Sequence, residues 1–490
     1  MTGTTPPLVT TTHGPVRGER RADGSSRFLG IPYAKPPVGP LRFAAPVPPE
    51  PWTEPLDATA YGPTAQRRPF ADVTTIPEPT IAGDGVLNLN VFTPAPDADA
   101  ALPVLVWIHG GGYVAGSAAS PWYDGAAFNR EGVVLVSLGY RLGIEGFLHL
   151  DDAPDNRGVR DWIAALEWVR DNIARFGGDP AKVTIAGQSA GGGAVQTLLA
   201  VPSARELFRG VISVSSAVMR PDGPRVARAV AQLFTARTGL PATAAALQGL
   251  GDDEILDLQD RLGRPGPDRE ALGLPPLLSL VPFADGELIP EPVLDALTTG
   301  EAGAGVPLML GFTAHEFNMI PTPTAGPDGD PLPMPLLLGG LGLDEVRAGA
   351  FAKTYADTAP AALFGQALTD ATFRAPSLAV ADARAERGEP TWLYQFDWIS
   401  PVNGQAFHCL DLPYAFDLLD AEGVTAAAGD NPPQELADAM HRAWVSFITE
   451  RNPGAHWPAY TSADRATMLW NATPEVVADP LKAVREVWLG

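Results

Sequence analysis

Gly187-Gln188-Ser189-Ala190-Gly191 is the stretch on which the reading of this chain turns. The run before it, Val183-Thr184-Ile185-Ala186, reads as a short buried strand, and Gly191 to Val201 (GGGAVQTLLAV) reads as the start of a helix. G-x-S-x-G between a strand and a helix is a nucleophile elbow, a sharp turn that presents a serine hydroxyl clear of the backbone. Small residues on both sides let strand and helix approach closely while the serine takes a strained conformation. The bare pattern also fits an ordinary glycine-rich turn; the flanking strand and helix favour the elbow.

Working outward, short apolar runs alternate with helical segments. The runs are Val104–Ile108, Val133–Leu138, Val183–Ala186, Val211–Val214, Val306–Leu310 and Trp392–Phe396. Between them lie amphipathic stretches such as Trp162 to Ile173, whose apolar positions recur at helical spacing. Buried strands alternating with helices predict an α/β fold, a large mostly parallel sheet covered by helices on both faces. Ligands in such folds bind at the carboxyl ends of the strands. Pro- and Gly-rich segments at Pro63–Gly85, Arg264–Pro292 and Pro321–Gly342 keep apolar content beside them. They read as surface excursions rimming one site, so residues 1–490 are expected to form one catalytic domain with loop and helical excursions near 63–85, 220–292 and 320–390.

Composition narrows the function classes. The 490 residues carry 45% hydrophobic and 19% charged side chains, an ordinary globular balance. Lys+Arg 34 against Asp+Glu 57 gives a net charge of −23, which repels phosphate backbones and anionic lipid. Neither nucleic acid nor membrane is expected as a partner; oligomeric state is not legible. Cys409 is the only cysteine, so no intrachain disulfide or cysteine-rich metal site can form. Residues 1–21 lack the apolar core of a signal peptide, and no run approaches membrane-span length, which points to a cytoplasmic protein.

A serine nucleophile needs a base, an acid that orients the base, and N–H donors for the developing oxyanion. The strand Val104–Ile108 runs into His109-Gly110-Gly111-Gly112-Tyr113, an HGGG turn of the kind that accompanies the elbow. The N–H of Ala190, next to the nucleophile, completes the donor set. Among seven histidines, the chain order serine–acid–histidine removes His13, His109 and His149. His441 lies in the helical pattern Glu435–Thr449 and His456 in a late Pro-rich turn. Of His315 and His408, the second follows a strand end by a loop. Glu316 follows the strand Val306–Leu310, where the acid is expected. Adjacent side chains on extended chain point apart, which separates His315 from Glu316 and Cys409 from His408. Glu316 as acid and His408 as base is the consistent assignment, with Cys409 a small core residue.

These residues resemble the type-B carboxylesterase/cholinesterase family of α/β-hydrolases nearly end to end. Phe28-Leu29-Gly30-Ile31-Pro32-Tyr33-Ala34, Pro36 to Phe43, Leu89-Asn90-Val91-Phe92, Phe176-Gly177-Gly178-Asp179-Pro180 and Trp457-Pro458-Ala459-Tyr460 are similar to its successive motifs. The resemblance implies Ser189, Glu316 and His408 as triad, with Gly111, Gly112 and Ala190 as oxyanion donors. It also places Ser215 where relatives carry a second buried serine, although the local context is altered. Val86 stands where secreted relatives have a cysteine, and Pro63–Gly85 has no tryptophan, so a choline-binding platform is not indicated. The bacterial para-nitrobenzyl-esterase-like branch is the nearer likeness. The resemblance implies a small-molecule ester substrate, hydrolysed through an acyl-enzyme. Met219, Phe317 and Phe407 are candidates, with Ser215, for the substrate pocket. No metal or organic cofactor is expected. Amide or carbamate substrates, and a non-catalytic binding protein of the same fold, remain the alternatives.

Overall fold

The computed structural model describes residues 6–65, 68–69, 74–218, 222–272, 274, 279–325 and 330–490. Its centre is an eleven-stranded sheet. In chain order the strands are β1 (Glu19–Arg20), β2 (Ser26–Pro32), β3 (Asn88–Thr93), β4 (Leu102–Ile108), β5 (Val134–Leu138) and β6 (Gly178–Gln188), then β7 (Gly210–Val214), β8 (Leu308–Thr313), β9 (Thr391–Phe396), β10 (Ala466–Trp470) and β11 (Glu475–Ala478). The spatial order is β11-β10-β9-β8-β7-β6-β4-β5-β3-β2-β1. The pairs from β5 through β10 are parallel, whereas β1–β2, β2–β3, β3–β5 and β10–β11 are antiparallel. The mostly parallel sheet expected from sequence is therefore flanked by antiparallel strands at both ends.

Side-chain alternation sorts the core into two layers. Val104, Val106 and Ile108 enter the cluster on one face, joined by Trp162 and Leu166 of α1 (Arg157–Asn172) and Ala194 and Leu198 of α2 (Ala190–Ala200). Leu105 and Trp107 point the other way, toward Met440, Trp444 and Phe447 of α3 (Gln434–Glu450). Period-two alternation on strands and 3.6-residue periodicity on helices produce this division. Each fully buried aliphatic side chain contributes roughly 1.5–3 kcal/mol.

Element boundaries differ from the sequence reading where apolar patterning stops short. The elbow strand begins at Gly178 because Leu102 of β4 pairs with Gly178, ahead of the apolar Val183. Helix α1 starts at Arg157, not Trp162, because that arginine is itself buried and donates to the carbonyls of Glu145, Pro154, Ile144 and Leu148. A buried, carbonyl-saturated arginine carries no hydrophobic signal. The strand expected over Val306–Leu310 runs instead over Leu308–Thr313; Pro307, just before it, has no N–H to donate to a ladder.

Register delivers the strand ends to one row. Ile108 pairs with Gly187, Gln188 with Val214, Val214 with Gly311, and Thr313 with Phe396. The loops leaving β4, β6, β7, β8 and β9 therefore emerge side by side. These loops carry Gly111–Gly112, Ser189, Ser215, Glu316 and His408. Among the described residues, no helix is long and apolar enough to cross a membrane.

Candidate active site

Ser189 caps α2 with φ 58° and ψ −120°, the left-handed strain of an elbow. Glycines make the turn sterically feasible. A Cβ at Gly191 would lie 2.0 Å from the Ile108 carbonyl oxygen, and one at Gly187 2.3 Å from that of Gly191. The backbone N–H of Ser189 donates to Val214 O at 2.9 Å, and its carbonyl accepts from Gly193 and Ala217. Ser189 itself is half-buried, so the turn holds its hydroxyl within reach of solvent.

The HGGG turn, expected from sequence to hold an oxyanion, follows β4. Gly111 has φ 111° and Gly112 φ 61°, and Gly111 O accepts from the N–H groups of Val114 and Ala115. A Cβ on Gly110 would stand 2.7 Å from Gln188 O and 3.2 Å from Ser189 Cβ, so this loop packs directly on the elbow. Among the described residues, the N–H groups of Gly111, Gly112 and Ala190 donate to no protein acceptor. Ala190 N–H is also the first of α2, where the helix dipole favours negative charge.

Glu316 and His408 meet: Glu316 Oε2 accepts from His408 Nδ1. The other carboxylate oxygen, Oε1, accepts from Thr313 N–H at 2.7 Å. A short parallel bridge sets their register. His315 pairs with Phe407, its N–H donates to Ala406 O at 2.9 Å, and its Nδ1 accepts from Ala406 N–H at 3.2 Å. His315 thus holds the two loops together without joining the Glu316–His408 pair, and burial lowers its pKa. The Glu316 side chain is fully sealed while 16% of the His408 side chain stays exposed.

Electrostatics around His408 pull in opposite directions. Burial lowers its pKa, whereas Cys409 and Glu316 raise it, and the net shift is upward. Cys409 is buried and its own thiol is pushed up, so it is neutral near pH 7 and Glu316 is the charge that acts. The expectation that the two neighbours point apart assumes extended chain, whereas Cys409 has φ 73° and is not extended.

The ring of His408 is held by two aromatics, Phe317 at 5.2 Å and Phe373 at 5.1 Å between centroids, which also contact each other edge-on. Phe373 rides on a π-helical turn, Asp370–Arg374, of the kind often found at functional sites. Arg374 in that turn pairs with Asp370 and donates to Ala314 O at 2.8 Å, tying it to the Glu316 loop. On its remaining nitrogen, His408 Nε2 stands 3.1 Å from Gln188 Nε2. His408 therefore lies against the residue preceding Ser189.

Residues 5–326 and 352–487 match the model of the carboxylesterase family. The para-nitrobenzyl esterase of Bacillus subtilis (strain 168) is 35% identical over 493 residues, covering 98% of both chains. The liver carboxylesterase of Sus scrofa is 33% identical, over 93% of this chain and 88% of its own. A thermophilic PNB esterase structure superposes with a TM-score of 0.85 at 34% identity, over 99% of this chain and 100% of that one. The carboxylesterase of Geobacillus stearothermophilus does so at 0.82, over 98% and 99%. The chain belongs to the carboxylesterase family. As a member it has the α/β-hydrolase fold and is a serine carboxylesterase, a carboxylic-ester hydrolase.

The remaining sequence-predicted residues of this carboxylesterase are distributed unevenly. Phe317 lies against His408. Ser215, at φ 46°, is fully buried; its N–H donates to Gly311 O, and its hydroxyl has no partner among the described residues. Phe407 sits in the apolar cluster beneath the site, 5% exposed. Met219 falls outside the described residues. His109 is buried against Tyr140, which lowers its pKa to about 4 and leaves it neutral.

Sequence reasoning missed Gln188 as a side chain, Phe373, and the buried pair Tyr394–Asp411, whose O–H···O contact is 2.9 Å. Gln188 was legible as the variable letter of G-x-S-x-G. Phe373 had no local signal, since its place against His408 is set by packing between segments distant in the chain.

Two excursions meet beside the oxyanion loop. A cavity of about 480 Å³ is bounded by Arg68 and Pro69, by Val114 and Ala115, and by the helix Asp252–Gly263 with Leu280. Val114 in its lining is two residues beyond Gly112 in the chain, and neither Ser189 nor His408 lines it.

Proposed function

We propose that Ser189 is the nucleophile of a two-step ester hydrolysis, with His408 as general base and Glu316 as the acid that orients it. In this reading His408 Nε2 takes the Ser189 proton as Oγ attacks the ester carbonyl. The N–H groups of Gly111, Gly112 and Ala190 receive the oxyanion, and loss of one such donor typically costs about 3 kcal/mol. The imidazolium then protonates the leaving alcohol. Water, deprotonated by the same histidine, releases the acid from the acyl-enzyme. Glu316 keeps Nδ1 protonated so that Nε2 is the basic nitrogen, and its charge stabilises the imidazolium.

The observation that carries the reading is the contact of Glu316 with His408 in a row of strand ends that also holds the elbow and the Gly111–Gly112 amides, unpaired among the described residues. One α/β catalytic unit spanning the chain is part of the proposal; the sheet draws its strands from Glu19 through Ala478. The cavity beside Val114 and Ala115 is its place for one arm of a small-molecule ester. A cytoplasmic location goes with it, supported by a single cysteine that can make no intrachain disulfide.

Replacing Ser189 with alanine tests the assignment. Turnover of a chromogenic short-chain ester is expected to fall by about 10⁴-fold or more, with an unchanged circular dichroism spectrum. Wild-type turnover in that variant would overturn the assignment.

A further inference from the structure

Gln188 is 1% exposed, and its amide is wedged between the two halves of the site. Its nitrogen faces His408 Nε2 at 3.1 Å, while its oxygen faces the oxyanion loop, 2.9 Å from where a Gly110 Cβ would lie. His408 Nδ1 already donates to Glu316. The second ring nitrogen is then an acceptor when the ring is neutral and a donor when it is charged. An N–H facing Nε2 matches only the neutral ring, because the imidazolium would set two donors against each other.

A base held by a buried carboxylate has a specific difficulty. Glu316 favours the charged ring, and a ring already protonated cannot accept the Ser189 proton. The other titratable groups facing His408 are Cys409, neutral because burial pushes its thiol up, and Asp411, pushed up to about 7. Phe317 and Phe373 cover the ring without charge. Besides burial, Gln188 is the contact that favours the neutral form.

We propose that Gln188 is a positioning residue that keeps His408 in its neutral, proton-accepting state by donating its side-chain N–H to Nε2, and that it yields this nitrogen to Ser189 when an ester enters. The proposal rests on the assignment of His408 as base. It assigns a task to the variable residue of the elbow motif, and it explains why an uncharged side chain with a donor is buried there.

Two substitutions test it: Gln188→Met, of similar length without a donor, and Gln188→Glu, of the same shape with a charged acceptor. The His408 ring is followed by NMR in protein carrying ¹³C-labelled histidine, its signal identified by its loss in His408→Ala. The expected order of titration midpoints is wild type, then Gln188→Met about half a unit higher, then Gln188→Glu about 1–3 units higher. The acid limb of kcat/KM should move with the midpoint. A purely structural role would lower activity at every pH without shifting it.

A folded Gln188→Met protein whose His408 midpoint stays put or falls overturns the proposal. If that variant does not fold, a Gln188→Glu midpoint no higher than wild type does the same. Labelling of wild-type Ser189 by a fluorophosphonate reports separately on the nucleophile: its absence overturns the assignment above, while the NMR order still decides the role of Gln188.

Discussion

Asp411 shows how much a single buried carboxyl can weigh. Its Oδ2 accepts from the Tyr394 hydroxyl at 2.9 Å, and Oδ1 has no partner among the described residues. Burial, then the nearby charge of Glu316, pushes its pKa up to about 7. In the unfolded chain the same group titrates near 3.9. Between those two values the folded protein holds a proton that the unfolded chain has released, so stability falls as pH rises through this window. Above pH 7 the full penalty stands, on the order of 4 kcal/mol. Asparagine keeps an acceptor for Tyr394 and cannot ionise. Urea unfolding of Asp411→Asn should therefore show a gain over wild type that widens from pH 5.5 to pH 8. A difference that stays constant across that range would mean that Asp411 ionises as easily in the folded protein as in the unfolded chain. Sequence inspection had no means of singling out Asp411, because its proton affinity comes first from burial and then from Glu316, distant in the chain and adjacent in space. Ser189 is the opposite case. Its strained φ of 58° follows from neighbouring glycines that tolerate no Cβ, and those glycines are written beside it.

Among the elements, the pairing of the His315 and Phe407 loops decides whether the proposed acid and base, Glu316 and His408, meet. Neither loop is regular, and their join consists of main-chain bonds from His315 to Ala406 O and from His408 to Glu316 O at 3.3 Å, with a side-chain bond from Ala406 N–H back to His315 Nδ1. His315→Leu leaves the Ala406 N–H without its acceptor, a loss of about 1–3 kcal/mol. It should also relax the Glu316–His408 register, with kcat falling by about 10- to 100-fold at nearly unchanged KM. Thermal melting and steady-state kinetics read both effects; wild-type values in both would show that the bridge does not position the pair. The strand runs and the order serine–acid–histidine were legible because each rests on local patterning. The bridge was not, since it joins residues 91 positions apart through one turn of backbone. The π turn at Asp370–Arg374 escaped for a similar reason: it bears on the site through Phe373 and Arg374, across space from the loop they support.

Over the whole molecule, the cavity proposed to take one arm of the ester is built by the excursions around the strand ends. The cavity beside Ala115 takes its walls from the segment at Arg68–Pro69 and from the helix Asp252–Gly263, far apart in the chain. Leu256→Trp narrows that space without touching the proposed triad. It should lower kcat/KM for esters with a bulky arm by about tenfold, a loss of about 1.4 kcal/mol, and spare an acetate ester. A panel graded by acyl and alcohol size measures the ratio, and equal losses across the panel would place the bulky arm elsewhere. The amino-acid sequence by itself determined the elbow, the glycine turn after β4, the alternation of strands and helices, and the family. Each of these depends on residues close together along the chain, where sterics and periodicity act directly. Tertiary structure alone decided the Glu316–His408 contact, the Gln188 amide against the base, the raised pKa of Asp411 and the shape of the cavity. Those depend on which distant residues share a buried volume, and only the packed register of the strand ends determines that.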